Sequence, residues 1–346
     1  MSMKLWIIGA VAILSGLTAV GAEAVEAPKK DLFEIRTWSR KDCSLTPWLV
    51  ADKLGYFSEE GLKIVYTGET QPALQIPSIL RGNNDVGNGH PNTLAVANSV
   101  GAKLVAVMQS IVEPAPSYDP KFRHMWWFVN PTKYPNVKRF SDLKKIPGKL
   151  KFSTINTNIC ADFLANLLAD NYGITRDKIE WVNMPDIQAV QALKLGLIDV
   201  GGVHPPFYKG MQDARQFKIA DSTETGIGVS AGLNFYWFTA AYTKKYPTEV
   251  AGFVRAIKRA QRWSNSHPDQ AAKWVEEAIG VPVTGNHYYA EDATIVEKEI
   301  EPWLRYLEEN KTIAKGKVTI SSLVTHQFES YGNADGKTDR HKKAEK

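Results

Sequence analysis

The chain has 346 residues, with 42 Lys and Arg against 37 Asp and Glu for a formal net charge of +5, and is 44% hydrophobic and 23% charged. That length exceeds the roughly 250 residues at which single hydrophobic cores stop growing, so two domains are expected, and the composition excludes a fibrous or wholly disordered protein. The small basic excess carries no basic run interleaved with aromatics, which excludes a nucleic-acid binder and slightly favours acidic or anionic small ligands.

The chain opens on a lone positive charge, Lys4, an apolar run from Leu5 to Val20 and the small-x-small site Ala22-Glu23-Ala24. Residues 1–24 therefore read as a secretory signal peptide, with the mature chain starting near Val25. Polar residues follow at once and no later stretch reaches the ~20 apolar residues of a membrane span. No Cys stands beside the cleavage site to carry a lipid, so export to the periplasm without an anchor is expected.

In the first half, Phe33 to Trp38 is a strand. Thr46-Pro47 reads as the cap and first position of a helix carrying Leu49, Val50, Leu54 and Phe57 at helical spacing. Gly61 breaks the chain before a strand from Leu62 to Tyr66; a helix from Gln75 to Arg81, a strand after Asp85, a helix from Asn92 to Val100 and a strand from Lys103 to Met108 follow. The Pro-rich Glu113 to Pro120 reads as a crossover, and Trp126 to Val129 as the strand that enters the second half.

The second half repeats this order: strand Lys151 to Ile155, helix Asp162 to Asn171, strand Ile179 to Val182, helix Ile187 to Leu195 and a strand after Asp199. The repetition is also literal. Gly82-Asn83-Asn84-Asp85-Val86-Gly87 and His90-Pro91 return as Gly196-Leu197-Ile198-Asp199-Val200-Gly201 and His204-Pro205. A second crossover is read near Asp221 to Ser230, before the apolar strand Phe235 to Ala240. Helices are then read over Thr248 to Ser266, Pro268 to Ile279 and Ala290 to Leu307.

Alternating strands and helices predict an α/β fold with mostly parallel sheets and helices on both faces. The expected organisation is a first lobe from 25–113 and 226–330, a second lobe from 124–222, crossovers at 114–123 and 223–225, and a disordered tail at 331–346. Cys43 and Cys160 lie past strands of different halves; two buried thiols and an interlobe disulfide both remain open, the thiols being preferred.

The run Ala51-Asp52-Lys53-Leu54-Gly55-Tyr56-Phe57-Ser58-Glu59-Glu60-Gly61-Leu62 resembles the helix-to-strand signature of the substrate-binding proteins of ABC importers in the nitrate, sulfonate, taurine and thiamine-precursor family. Arg81-Gly82 through Gly87, Asp142-Leu143-Lys144 with Gly148-Lys149, Ala192 to Asp199 with Pro205-Pro206, and Tyr246-Pro247 with Val250 and Phe253 match further elements in order, over about residues 31–280. The resemblance implies a two-lobed periplasmic-binding-protein fold joined by two crossover strands. It also implies a monomer that closes on a small ligand and delivers it to an inner-membrane permease, with no cofactor.

Ligands of open α/β sheets bind beyond the carboxyl ends of strands. That places Trp38, Arg40, Ser44, His90, Asn92 and Thr93 in the first lobe's share of a cleft, and Thr154, Asn156, Thr157, Asn158 and His204 in the second's. Asn92-Thr93 and Asn156-Thr157-Asn158 stand at helix starts, where backbone amides could cradle an anion; simple capping is the other reading. Of the pairs Trp126-Trp127 and Tyr236-Trp237, strand alternation turns one member to the cleft and one to the core, with Tyr236 and Trp237 counted as ligand-binding candidates. His90 and His204 are read either as ligand contacts or as local hydrogen-bonders. A metal between them is disfavoured because no second His, Cys or carboxylate is spaced beside either.

The expected function is capture of a small organic anion, a sulfonate, carboxylate or related compound that could carry an aromatic ring, without catalysis. Thiamine-pyrimidine synthases share the lobed fold, but their cysteine-rich motif is missing here and an export signal is present. A ligand-sensing subunit for a membrane receptor is a further alternative.

Overall fold

The structure, a computed structural model, describes residues 31–39, 44–70, 72–156 and 158–333. The expected signal peptide, Arg40, Cys43, Thr157 and nearly all of the tail lie outside the described residues.

The first half contains β1 (Phe33–Thr37), α1 (Leu45–Lys53), α2 (Tyr56–Glu59), β2 (Leu62–Tyr66), α3 (Pro72–Leu80), β3 (Val86–Gly89), α4 (Pro91–Ser99) and β4 (Leu104–Gln109). The second contains β5 (Trp126–Val129), β6 (Leu150–Thr154), α5 (Cys160–Asn171), β7 (Ile179–Asn183), α6 (Asp186–Lys194), β8 (Val200–Val203), α7 (Tyr208–Asp213) and β9 (Phe217–Asp221). The chain then runs through β10 (Phe235–Thr239), α8 (Ala240–Lys245), α9 (Pro247–Ser266), α10 (Pro268–Ile279) and α11 (Glu301–Glu309).

The second lobe is one sheet in the order β7-β6-β8-β5-β9, with β6 parallel to β7 and β8 and with β5 antiparallel to β8 and β9. In the first lobe β1 pairs in parallel with β2, and β10 lies antiparallel between β3 and β4. Backbone bonds tie β1 to the start of β3: the Asp85 N–H donates to the Arg36 carbonyl at 2.8 Å. The order β2-β1-β3-β10-β4 thus repeats that of the second lobe. The sheets are mixed because each lobe takes its fourth strand from the segment that has just crossed from the other.

Two expected elements are corrected and one strand, β9, is added. The helix expected over 290–307 is a 3-10 turn at Glu297–Glu299 followed by the α-helix Glu301–Glu309, because Pro302 lacks an N–H and fits only the first turn of a helix. β9 was not foreseen; it is short, and just Ile219 and Ala220 of its five residues are buried. The helix α1 begins at Leu45 with Ser44, not Thr46, in the N-cap position, and the Thr46 hydroxyl donates to Asn286 Oδ1 at 3.0 Å.

The first lobe's core is a chain of rings, Trp48 against Tyr236 and Phe253, and Phe57 stacked on Phe253, that seats α9 on α1 and β2. The helix α11 belongs to neither lobe alone. It packs on α4, its Trp303 ring stands 4.3 Å from Phe163 of α5, and its Tyr306 hydroxyl accepts from Asn166 Nδ2 at 2.6 Å. One continuous hydrophobic cluster therefore spans both lobes along this edge.

Candidate functional site: a histidine–cysteine cluster in the interlobe cleft

The repeated segment builds the same local structure twice. Gly82 and Gly196 adopt φ of +74° and +73°, a left-handed turn that ends the preceding helix and that other residues adopt only with strain. Asp85 then accepts from the Arg36 backbone N–H at 2.8 Å and binds its guanidinium at 2.7 Å. Asp199 accepts from the Lys151 backbone N–H at 2.8 Å and binds Lys133 at 2.6 Å. Gly and Asp are structural: they stop a helix and bind the third strand to the first. The strands deliver His90 (φ −84°, ψ 161°) and His204 (φ −94°, ψ 166°) to their carboxyl ends, each followed by a Pro at the first helical position.

Both imidazoles pack against the ring of His124. His204 Nδ1 donates to Asp186 Oδ2 at 2.6 Å, and its Nε2 lies 3.3 Å from Cys160 Sγ. His90 Nδ1 lies 2.7 Å from the Leu233 carbonyl, which only accepts, so Nδ1 carries the proton. The opposite face of the His90 ring stacks on Trp303 at 5.0 Å. Two further histidines complete the group. The ring of His124, just before β5, is 5.1 Å from that of His90, 5.0 Å from His204 and 4.8 Å from His287, which stands in the irregular stretch after α10. Ligating atoms of His90, His124 and Cys160 all lie within 4.8 Å of one another.

Both ring nitrogens of His124 and of His287 lack a hydrogen-bond partner among the described residues, though the side chains are 0% and 1% exposed. Leaving such groups unpaired costs about 1–3 kcal/mol each. Burial, reinforced by the neighbouring imidazoles, holds both well below the usual histidine range and keeps them neutral. Burial also opposes charge on His204 and Cys160, but there it is outweighed. Asp186 and Cys160 lift His204 to about 10, and His90 and His204 bring the Cys160 thiol down to about 6.

The cluster floors a cavity of about 410 Å³. Ser44, Asn88, His90 and Thr93 line it from the first lobe, Asn156, Asn158, Cys160 and His204 from the second. Trp237, on β10, forms part of its wall. A Cβ on Gly89 would lie 2.5 Å from the Trp237 ring, so the indole fits only because that strand position is bare.

Other sequence-based candidates fall elsewhere. Trp38 and Tyr236 are core side chains, whereas Trp237, though also buried, borders the cavity. Neither Trp126, which stacks on Tyr208 at 4.1 Å, nor Trp127 lines the cavity. Asn92 is fully buried with Oδ1 accepting from the Thr93 N–H, and the Thr154 hydroxyl donates to the Asn156 carbonyl at 2.6 Å. The amide cradle at α5 is also corrected. Asn158, at φ +59°, and Ile159 donate their N–H groups to the Asp162 carboxylate at 2.9 and 2.8 Å, so an internal anion already occupies that helix start. Cys160 is a buried free thiol. The reading that nothing ligating stands beside His90 and His204 is overturned: Cys160, His124 and His287 do. Four of the chain's seven histidines gather here, from four segments remote in sequence, which spacing could not reveal.

A family profile described as NMT1/THI5 like matches residues 43–271. The chain belongs to the NMT1/THI5-like family. No curated protein sequence matches it. Among solved structures it is similar to the periplasmic aliphatic sulphonate binding protein SsuA from Escherichia coli, with TM-score 0.65, 16% identity and coverage of 85% of this chain and 92% of that one. It is also similar to the periplasmic nitrate-binding protein NrtA from Synechocystis PCC 6803 (TM-score 0.69, 10% identity, coverage 87% and 88%) and to the desulfurization enzyme DSZB (TM-score 0.62, 9% identity, coverage 86% and 98%). At these identities the likeness establishes that this NMT1/THI5-like chain has the periplasmic-binding-protein fold, an architecture that hosts both binders and an enzyme.

Proposed function

We propose that this chain is an extracytoplasmic solute-binding protein that holds a small organic anion between its lobes and delivers it to an ABC importer. The observation that carries the reading is the cavity of about 410 Å³ walled by strand-end loops of both lobes. Its described lining combines hydroxyls and carboxamides (Ser44, Thr93, Asn156, Asn234), an indole and aliphatic side chains, with no carboxylate to repel an anion. Among the described residues no helix is long and apolar enough to cross a membrane. The apparent leader supports export to the periplasm, and sequencing the amino terminus of the exported chain should give a start near Val25.

A thermal-shift screen of sulfonates and carboxylates tests the reading: a ligand at 100 times its Kd should stabilise by roughly 2.7 kcal/mol. It should be recovered unchanged, and its binding should alter the fluorescence of Trp237. Failure of any such compound to stabilise the folded chain would overturn it.

One observation favours an enzyme as a second reading. Cys160, His204 and Asp186 stand in the order thiol, base, orienting carboxylate, at 3.3 and 2.6 Å. Conversion of a bound ligand that stops when Cys160 is alkylated would establish it in place of simple capture.

A further inference from the structure

We propose that His90, His124, Cys160 and His204 form a site for a single transition-metal ion of the zinc or copper class in the cleft, with His287 packed against it. Imidazole and thiolate donors suit these ions, whereas calcium and magnesium take oxygen ligands. A tetrahedral ion about 2.1 Å from nitrogen and about 2.3 Å from sulfur sets its donors roughly 3.4–3.7 Å apart. Cys160 Sγ and His204 Nε2 already stand at 3.3 Å, and the trio His90, His124 and Cys160 lies within 4.8 Å, so small side-chain shifts would complete a shell.

Two histidines have their tautomer set for the task. The Nδ1 atoms of His204 and His90 are turned outward to the Asp186 carboxylate and the Leu233 carbonyl, leaving Nε2 of His204 facing Cys160. A carboxylate or carbonyl behind a ligating imidazole is the usual outer support of a metal site. A thiol–imidazole–carboxylate relay would employ Cys160, His204 and Asp186, yet would leave both buried, unpartnered nitrogens of His124 without purpose; an ion would take one of them. Binding would displace one proton from the Cys160–His204 pair to solvent, the sulfur becoming a thiolate ligand and Nε2 a neutral donor.

His90, Cys160 and His204 also line the cavity, while His124 and His287 stand behind them. An ion held here would add positive charge beside the cleft. The inference goes beyond solute capture and is read out independently of it.

The test uses the mature chain, expressed without a polyhistidine tag and stripped with EDTA, titrated with Zn²⁺ alone and with Co²⁺ alone. One tightly bound ion per folded chain is expected, and the cobalt form should show the strong visible bands of four-coordination and a thiolate charge-transfer band. Cys160→Ser should abolish that band, and His124→Gln should weaken Zn²⁺ at least tenfold, while His326→Ala, distant and exposed, should change neither. Zn²⁺ should also protect Cys160 of the unaltered chain from iodoacetamide, a measurement that needs no variant to fold. Absence of stoichiometric metal in the folded chain, or binding that His124→Gln and thiol alkylation leave untouched, would overturn the proposal. Organic-anion binding measured in EDTA reports on the solute reading separately.

Discussion

Asn158 lines the cavity while its backbone N–H is held from behind. Its position in the cleft was legible from a polar loop before a helix, but its amide is committed to Asp162, which also takes the Ile159 N–H. Asp162→Ala should therefore loosen the start of α5 and cost about 1 kcal/mol in denaturant unfolding, as loss of a capping side chain does. Trp237 depends just as closely on Gly89. Gly89→Ala would drive a methyl into the indole, so it should reshape the cavity and reduce ligand affinity more than it reduces melting temperature; unchanged affinity by calorimetry would show that the indole does not contact the ligand.

At the scale of elements, the two copies of the helix-stop and strand segment share one job. Asp85 ties β3 to β1 as Asp199 ties β8 to β6. Removing either carboxylate strands a backbone N–H and a cation, and Asp85→Ala and Asp199→Ala should each destabilise the fold by roughly 2–3 kcal/mol in urea titrations. The prediction separates these residues from their neighbours in the repeat. His90→Ala and His204→Ala should weaken ligand or metal binding by more than tenfold, or about 1.4 kcal/mol, in addition to the stability lost with their buried hydrogen bonds. Loss of stability with affinity intact would return the histidines to a purely local role.

For the whole molecule, the question is how lobes that share a core along one edge can move. The expectation of closure on ligand, checked by a fall in radius of gyration in small-angle scattering, now meets α11, whose Trp303 and Tyr306 bridge α4 and α5. Trp303→Ala removes the largest side chain of that bridge, and its indole N–H bond to the Ser230 carbonyl at 3.0 Å. It should destabilise by about 3–5 kcal/mol and enlarge the compaction seen on binding. An identical scattering change in both proteins would mean that α11 travels with one lobe and does not restrain the other.

By itself the sequence determined most of the elements and their order, because helix and strand periodicity, Gly stops and Pro starts act over a few residues, and a literal repeat exposed the twofold plan. It also located Ser44, His90, Thr93, Asn156, Asn158, His204 and Trp237 around a cleft, since strand ends of one architecture converge there. Only the tertiary structure decided which polar groups were already spent on one another, as with Asp162 at α5, or buried in the core, as with Trp38 and Tyr236. It alone brought His124 from a crossover and His287 from an irregular loop against His90, His204 and Cys160. Contacts between segments so distant leave no periodic trace in the chain; they exist because both lobes and both crossings meet at one buried point.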